Sequence, residues 1–447
     1  TTPPRNENPS PRVLGVRGGK RINYVFGVFR FLCGSTYVVP MNSTKVFTHV
    51  LGISAPWRVT RVNVDIEAEQ VDVHVAYRAN APCFCPTCGC AAPRYDKRTR
   101  RWRHLDMCEY KTIVTAEIPR VACPDHGIVL MQVPWAGPGS SLTRAFEARI
   151  VSLLQETSRA AAARQLKLSW SVVDRVYTAA VARGLERRDS LAVVHVSVDE
   201  VVWQRPQKYV TVVSDAESGA VLRVSEGRRA ESLGEYYALL THEERAAIQS
   251  VSMDMWDPYI LATREWVPGA DQKICFDKFH VAMLLGFAVD EARRAEHSEL
   301  RKTGDSSLKA TRFLWLRNPL TMPREQWARL NQLRNSSLRT AQAWGFKELV
   351  MSLWHYVHRG WARRAWDEVI ADGLATSIPS IQRVAKTLRR YLWGIINAIV
   401  HNRTNAKAES TNARIKMARA RACGYGSLTR FRTAIYFHCG RLDLSSP

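Results

Sequence analysis

Apolar and polar residues alternate along Arg58–Ile66 and again along Val71–Tyr77. A period of two is that of a half-buried strand, and two such runs a few residues apart predict a β-hairpin. A further alternating stretch, Lys111–Ile118, follows the basic run Lys97–Arg103, and together they predict another strand pair. From residue 142 the period lengthens to that of a helix. Leu142–Glu156 sets Phe146, Ile150, Leu153 and Leu154 on one stripe. Ser158 is placed to cap a second, alanine-rich helix, Arg159–Leu166. After a short turn at Lys167–Ser169, Trp170–Arg183 turns Val172, Val173, Val176 and Ala180 to one side. A short helix of small residues, a tight turn and a second helix with basic outward positions is the helix-turn-helix arrangement, though any three-helix bundle shares that outline.

The shorter period returns at Leu191. Val193–Val202, Tyr209–Asp215 and Ala220–Gly227, with a turn at Ser218–Gly219, predict a three-strand meander. Ser232–Leu240 reads as a helix, Ile248–Met255 as a fourth strand and Lys273–Phe276 as a fifth, after which Asp277 opens another helix. Three antiparallel strands, a helix and further strands is the ribonuclease-H-like order, in which the first and fourth strands lie side by side. Residues from about 290 to 395 read as helices and hold seven of the 14 Trp, at positions 315, 327, 344, 354, 361, 366 and 393. At helical spacing such residues are more often core than base-stacking platforms. Arg293, Arg294, Arg301 and Lys302, at the start of that stretch, are phosphate-contact candidates or a solvated face.

Two chemistries stand out against this frame. Residues 83–90 read Cys-Phe-Cys-Pro-Thr-Cys-Gly-Cys, and 123–127 read Cys-Pro-Asp-His-Gly. Zinc takes four tetrahedral sulfur or nitrogen ligands, usually as two knuckles of two. Cys85 with Cys88, and Cys123 with His126, supply them, each pair followed by a glycine; Cys83 and Cys90 are spare and either can replace a first choice. The paired spacings favour metal binding in a reducing cytoplasm over disulfides. The second chemistry is acidic. Asp199 and Asp254 fall on the strands expected to be neighbours, where two buried carboxylates repel unless a divalent cation neutralises them. Oxygen-rich sites suit Mg²⁺ or Mn²⁺. Downstream, Asn405, Glu409 and Asn412 share one helical face, with Lys416 a turn further on.

Composition narrows the partner. Lys plus Arg number 64 against 41 Asp plus Glu, a formal charge of +23, on a chain whose 46% hydrophobic content is ordinary for a folded protein. A folded body with that excess suits a polyanion, most simply double-stranded DNA. No run of 18 or more apolar residues occurs; the nearest approach, Asn23–Pro40, is interrupted by Arg30, so no membrane partner is expected. Residues 1–40 are rich in Pro, Gly and Arg and have no period. They are expected to be either translated DNA upstream of a start at Met41, the first methionine, or a disordered basic leader.

The chain resembles the DDE transposases of bacterial insertion sequences, specifically the ISL-three family. The resemblance rests on Val198-Asp199-Glu200, Ser252 to Tyr259, Asp277-Lys278-Phe279-His280-Val281, Ala408 to Asn412 with Ile415-Lys416, and Gly424-Tyr425. It runs from Met41 to Cys439, with the cysteine knuckles and helix pair in the family's order ahead of the acids. It implies Asp199, Asp254 and Glu409 as a catalytic triad holding two Mg²⁺ (or Mn²⁺) ions, which activate water and then a DNA 3′-hydroxyl. Asp277 and His280 are expected either to support that site, with Asn412 and Lys416, or to be a helix cap and a packed ring. The second knuckle is CxxH where many relatives have CxxC, which leaves the fourth zinc ligand open.

The expected architecture is therefore α+β and multidomain. A leader (1–40) precedes a β-hairpin and zinc-binding module (41–136) and a helix-turn-helix (140–188). A ribonuclease-H-like core (190–289 and 396–447) is interrupted by an all-α insertion (290–395). The expected function is binding of element ends and metal-dependent cleavage and strand transfer, by a homodimer or larger assembly on terminal inverted repeats and target DNA, in a bacterial cytoplasm and at the nucleoid. A DNA-binding regulator without catalysis and a nuclease that cuts without joining are the alternatives.

Overall fold

Alternating valines build the first sheet. In a computed structural model that describes residues 43–446 apart from 205, 337 and 403–405, β1 (Trp57–Asp65) pairs antiparallel with β2 (Gln70–Tyr77). Val71, Val73 and Val75 are buried on one face of β2. The leader 1–40, Met41 and Asn405 lie outside the described residues. The apolar run at Lys45–Leu51 is a short helix, α1 (Ser43–Val50). The basic run forms β3 (Arg94–Arg103), antiparallel to β4 (Lys111–Cys123), and β5 (Gly127–Leu130) folds back on β4. The strand order is β1-β2-β4-β3, with β2 and β4 parallel. Trp57, Trp102 and Trp135 meet edge to face over this sheet, at centroid separations of 4.9 and 5.5 Å.

The expected helix trio follows as α2 (Arg144–Glu156), α3 (Arg159–Gln165) and α4 (Trp170–Glu186). Ser158 Oγ accepts from the Ala161 N–H at 3.2 Å, the cap the sequence called for. Ala162 and Ala163 are buried, and their small side chains let α3 approach α4 closely.

The second sheet runs β10-β9-β6-β7-β8. β6 (His195–Gln204), β7 (Lys208–Asp215) and β8 (Val221–Glu226) form the antiparallel meander. Then come α5 (Ala230–Tyr237), α6 (His242–Ala247) and β9 (Ser250–Met253), which pairs parallel with β6, as His195↔Ser250. α7 (Asp257–Trp266) and α8 (Ala270–Lys273) lead to β10 (Ile274–Phe276), parallel to β9. The first and fourth strands of this sheet are neighbours, as expected.

One face of the sheet packs under α9 (Lys278–Lys302), α10 (Arg312–Leu316), α11 (Arg324–Arg334), α12 (Arg339–Ser352), α13 (Arg359–Ala375) and α14 (Pro379–Val400). Here the structure departs from the expected boundaries. Both limits of the 290–395 segment fall inside helices, α9 and α14, and its helices share one core with the strands. Val196, Val251 and Phe276 of the sheet belong to the same cluster as Trp315, Trp366 and Leu388. The segment cannot bury its apolar faces alone, so it closes onto the sheet. Trp315, Trp344 and Trp366 are buried; Trp327, Trp354 and Trp393 pack against the core, and Trp361 is 62% exposed. Arg293 and Arg294 both turn to the buried carboxylate of Asp290, at 2.8 and 3.5 Å.

The opposite face carries α15 (Ala406–Arg421) and α16 (Leu428–Cys439), and the helix trio packs into the same layer. Tyr177 of α4 lies on Phe437 of α16, with centroids 4.3 Å apart. Arg188, just past α4, donates to the carbonyls of Val221, Leu222 and Gly440. The helix-turn-helix is thus seated on the sheet. No helix among the described residues is long and apolar enough to cross a membrane.

Candidate active site and zinc centre

Two turns position the cysteines. In the first, the Gly89 N–H donates to the Cys85 carbonyl and the Cys85 N–H to the Cys90 carbonyl, both at 2.9 Å. Gly89 and Gly127, after the two knuckles, have φ of 74° and 66°, values that L side chains rarely adopt. The ligand atoms of Cys85, Cys88, Cys123 and His126 all lie within 4.8 Å of one another. Zinc at about 2.3 Å from sulfur and about 2.0–2.1 Å from nitrogen requires tetrahedral edges of about 3.8 Å (S–S) and about 3.5 Å (S–N). The observed separations are 3.7 Å for Cys88–Cys123, 3.5 Å for Cys123–His126 and 3.8 Å for Cys85–His126. The donor set fits zinc. The Cys85 thiol is also held down to about 6, chiefly by the Cys88 backbone N–H, which favours the thiolate that metal binding needs. The spare thiols face elsewhere: Cys83 Sγ meets Arg94 Nη2 at 3.7 Å, and Cys90 Sγ the Cys88 carbonyl at 3.9 Å.

The acids converge where β6 and β9 run side by side. Asp199, in β6, accepts from the Glu200 N–H at 2.7 Å through Oδ1 and from the Asn412 side-chain amide through Oδ2. Burial, and then the charge of Asp254, push its carboxyl up to about 7. Asp254 follows β9 directly. Its Oδ1 is buried and lies 2.7 Å from His280 Nε2. Burial works to lower the His280 imidazole, but Asp254 beside it, with Asp277 and Asp199, carries it above its usual value. Asp277 both caps α9, accepting from the Phe279 N–H at 3.2 Å, and stands 4.0 Å from His280 Nε2. The cap is thus present, and the same carboxylate faces the His280 ring. Asp254, Asp277 and His280 offer ligand atoms within 4.8 Å of one another. Crowded carboxylates beside an imidazole form a donor set that a divalent cation fits.

Helix α15 is pinned across this point. Thr411 Oγ1 donates to the Gly219 carbonyl at 3.1 Å, and Arg419 Nη1 to that of Val202 at 2.6 Å. Asn412 therefore reaches Asp199. Glu409 sits one turn earlier, exposed, and its carboxylate is outside the Asp254 group; Lys416 is exposed one turn later. Sequence reasoning missed the wall of the site. The Arg228 guanidinium lies over the rings of Tyr209 (4.2 Å) and Trp256 (4.7 Å) and 3.4 Å from Glu200. With Tyr259, His280 and Met283, Trp256 and Glu200 line a cleft of about 190 Å³ beside Asp254. Trp256 and Tyr259 stood within a matched block, but nothing local marks Arg228.

Comparison with known proteins follows the same order along the chain. A model for the zinc finger of the transposases of IS204, IS1001, IS1096 and IS1165 matches residues 81–126. A model for the helix-turn-helix domain of ISL3-family transposases matches residues 131–181. The family's DDE domain model, described as a transposase, matches residues 196–435. The chain is 27% identical over 421 residues to the transposase for insertion sequence element IS1557 of Mycobacterium tuberculosis, covering 87% of this chain and 93% of that protein. It is 28% identical over 347 residues to the transposase for element IS1001 of Bordetella parapertussis, covering 76% and 85%. With a zinc ribbon and a DNA-binding helix-turn-helix ahead of a DDE domain that spans more than half of its length, the chain belongs to the ISL3, or ISL-three, family of DNA transposases, enzymes that cleave DNA and transfer its strands.

Proposed function

We propose that Asp199, Asp254 and Glu409 are the catalytic acids of this transposase, on a ribonuclease-H-like sheet whose helical segment 290–395 is an insertion closed onto it. The observation that carries the reading is the pairing of β6 with β9, which sets Asp199 and Asp254 close enough for one charge to raise the other's carboxyl. Glu409 shares a face of α15 with Asn412, its Cβ about 5–6 Å away as for any such neighbours on a helix. Asn412 touches Asp199, so this face of α15 is the one turned toward the acids. Mg²⁺, or Mn²⁺, is the cation we assign to these acids, and Cys85, Cys88, Cys123 and His126 are the zinc ligands.

Bound among the acids, the divalent cation supplies a more acidic water or 3′-hydroxyl and neutralises charge on the leaving oxygen. The residues do the rest. Asn412 orients the Asp199 carboxylate by donating to Oδ2. His280 Nε2, 2.7 Å from Asp254, stands beside the acids, where its ring N–H can donate to a scissile phosphate. Asp277 holds the first turn of α9, and with it His280, in place. No side-chain nucleophile is required, since each step is attack by an oxygen of water or DNA on phosphorus. Two element ends imply at least a dimer during the reaction.

The test is a strand-transfer assay with labelled element ends, Mg²⁺ and target DNA. Joined product is the expected result. Cut product alone would favour a nuclease, and binding without either a regulator.

A further inference from the structure

We propose that a cleft between the zinc module and helix α4, continued along the edge strand β3, is a clamp for the DNA backbone beside the sequence that α4 reads. The proposal rests on the chain's reading as a DNA-binding transposase and adds a second, sequence-independent grip to it. Strand β3 carries Arg94, Lys97, Arg98, Arg100, Arg101 and Arg103 against a single acid, Asp96. It lies at the end of its sheet and pairs with β4 alone among the described strands, its outer side bridged at Arg103 to Leu142 and open before that. Lys97 and Arg101 are matched to Glu117 and Asp72, and Arg103 to Asp106. Arg98 is exposed and has no acidic partner among the described residues.

Arg100 links this strand to the helix-turn-helix. On the same face of β3 as Arg98, its guanidinium lies 5.5 Å from the Trp102 ring and donates to the Ser140 carbonyl at 3.4 Å. Ser140, with Gly137–Gly139, forms one wall of a cleft of about 300 Å³ whose other wall is α4, presenting Arg175, Ala179 and Arg183. The one acid in the cleft, Glu147, is taken by the Ser140 hydroxyl at 2.7 Å. Arg183 has no such match. Its Nε and Nη2 are closed off from solvent without an acceptor, a costly state, and turning the half-buried side chain into the cleft would present them to a phosphate oxygen. Cations thus stand on both sides of the Gly137–Ser140 turn, Arg100 with Arg98 on β3 and Arg183 with Arg175 on the helix expected to enter the major groove. Charge on an edge strand also blocks strand-to-strand aggregation. That role explains neither the acceptor-free Arg183 nor the cations that α4 presents across the same turn.

Backbone contacts are counted by the salt dependence of binding, since each neutralised phosphate contributes about 0.9 to the slope of log K against log salt. The full-length, zinc-loaded protein is titrated by fluorescence anisotropy with an element-end duplex and a scrambled duplex over a salt series. For Arg98→Gln/Arg100→Gln the slope should fall by about 1.8. The ratio of end to scrambled affinity should change less than about twofold, because backbone contacts carry no sequence information. Arg183→Gln, outside the zinc module, should lower the slope by about 0.9. Arg98→Lys/Arg100→Lys should keep the wild-type slope, as should Arg363→Gln/Arg364→Gln, which removes the same charge from the distant α13. Zinc content reports on folding of the module. Wild-type slopes in both glutamine variants would overturn the clamp, as would a specificity ratio that falls as far as the affinity. A wild-type protein with no preference for its ends would instead overturn the transposase reading beneath it.

Discussion

Gly394 lies where α14 crosses β10, and a side chain there tests the coupling of the helical segment to the active site. A Cβ on Gly394 would come to 2.4 Å from the Phe276 ring, over 1 Å inside the separation of about 3.5–4.0 Å at which carbons pack. The ring has nowhere to go. Phe276 is fully buried and held edge-on by Tyr391 and Trp393, at 5.4 and 5.1 Å. Alanine in place of a mid-helix glycine gains about 1 kcal/mol in helix propensity. Overpacking a tight core costs about 1–3 kcal/mol, and a clash this deep against an immobile ring belongs to the upper part of that range, about 2–3 kcal/mol. Gly394→Ala should therefore destabilise the protein by about 1–2 kcal/mol, read by denaturant unfolding. The displacement has a chemical consequence too, because Phe276 immediately precedes Asp277, and Asp277 caps the turn that holds His280 against Asp254. A shift near 1 Å at reacting groups can lower rates by about 10²-fold, so joining should fall well beyond the loss of folded protein. End-binding should not change, since α4 belongs to the opposite layer of the sheet. Adding Phe276→Leu shortens the offending ring and should recover part of both losses, a coupling that a double-mutant cycle measures. A Gly394→Ala protein as stable as the wild type, or more so, would show that propensity outweighs the clash and would refute the argument.

Metal analysis of Cys85→Ser/Cys88→Ser should show the loss of one zinc per chain, whereas Cys83→Ser/Cys90→Ser should retain it; zinc lost from the second variant would move the ligand assignment. Glu409→Gln should lower joining by orders of magnitude, as metal activation is worth several kcal/mol at the transition state, while end-binding persists. Glu291→Gln, at an exposed ion pair with Arg383, is the control and should join normally; near-normal joining by Glu409→Gln would make Asp277 the leading third acid. Trp366→Ala should cost about 3–5 kcal/mol in chemical denaturation because the ring is fully buried. Trp361→Ala, at 62% exposure, should stay within about 0.5 kcal/mol, and a comparable loss there would assign that ring a packing role.

What the sequence determined by itself is what neighbours along the chain decide. Alternation at Val71, Val73 and Val75 specifies a strand with one buried face, whatever that face meets. Ser158 caps a helix because its hydroxyl reaches an amide three residues on. Gly89 and Gly127 follow the knuckles because a turn that tight needs positive φ. The zinc cluster was legible for the same reason, each knuckle being a local turn and the strand pairing that joins them being written in the alternation. The acids were legible only as candidates. That β6 lies beside β9 follows from the order of elements, but the contact of Asn412 with Asp199 spans 213 positions and leaves no local trace. Arg228 reaches Glu200 and Trp256 in the same way. The limits at 289–290 and 395–396 fall inside α9 and α14, because a helical period reports amphipathicity, not the partner that covers the apolar face. Only the tertiary structure sets α14 on Phe276 and α16 under α4, and so makes the helical segment and the helix-turn-helix parts of the catalytic body. Those contacts join residues distant in sequence through shape and burial, which no short window of the chain contains.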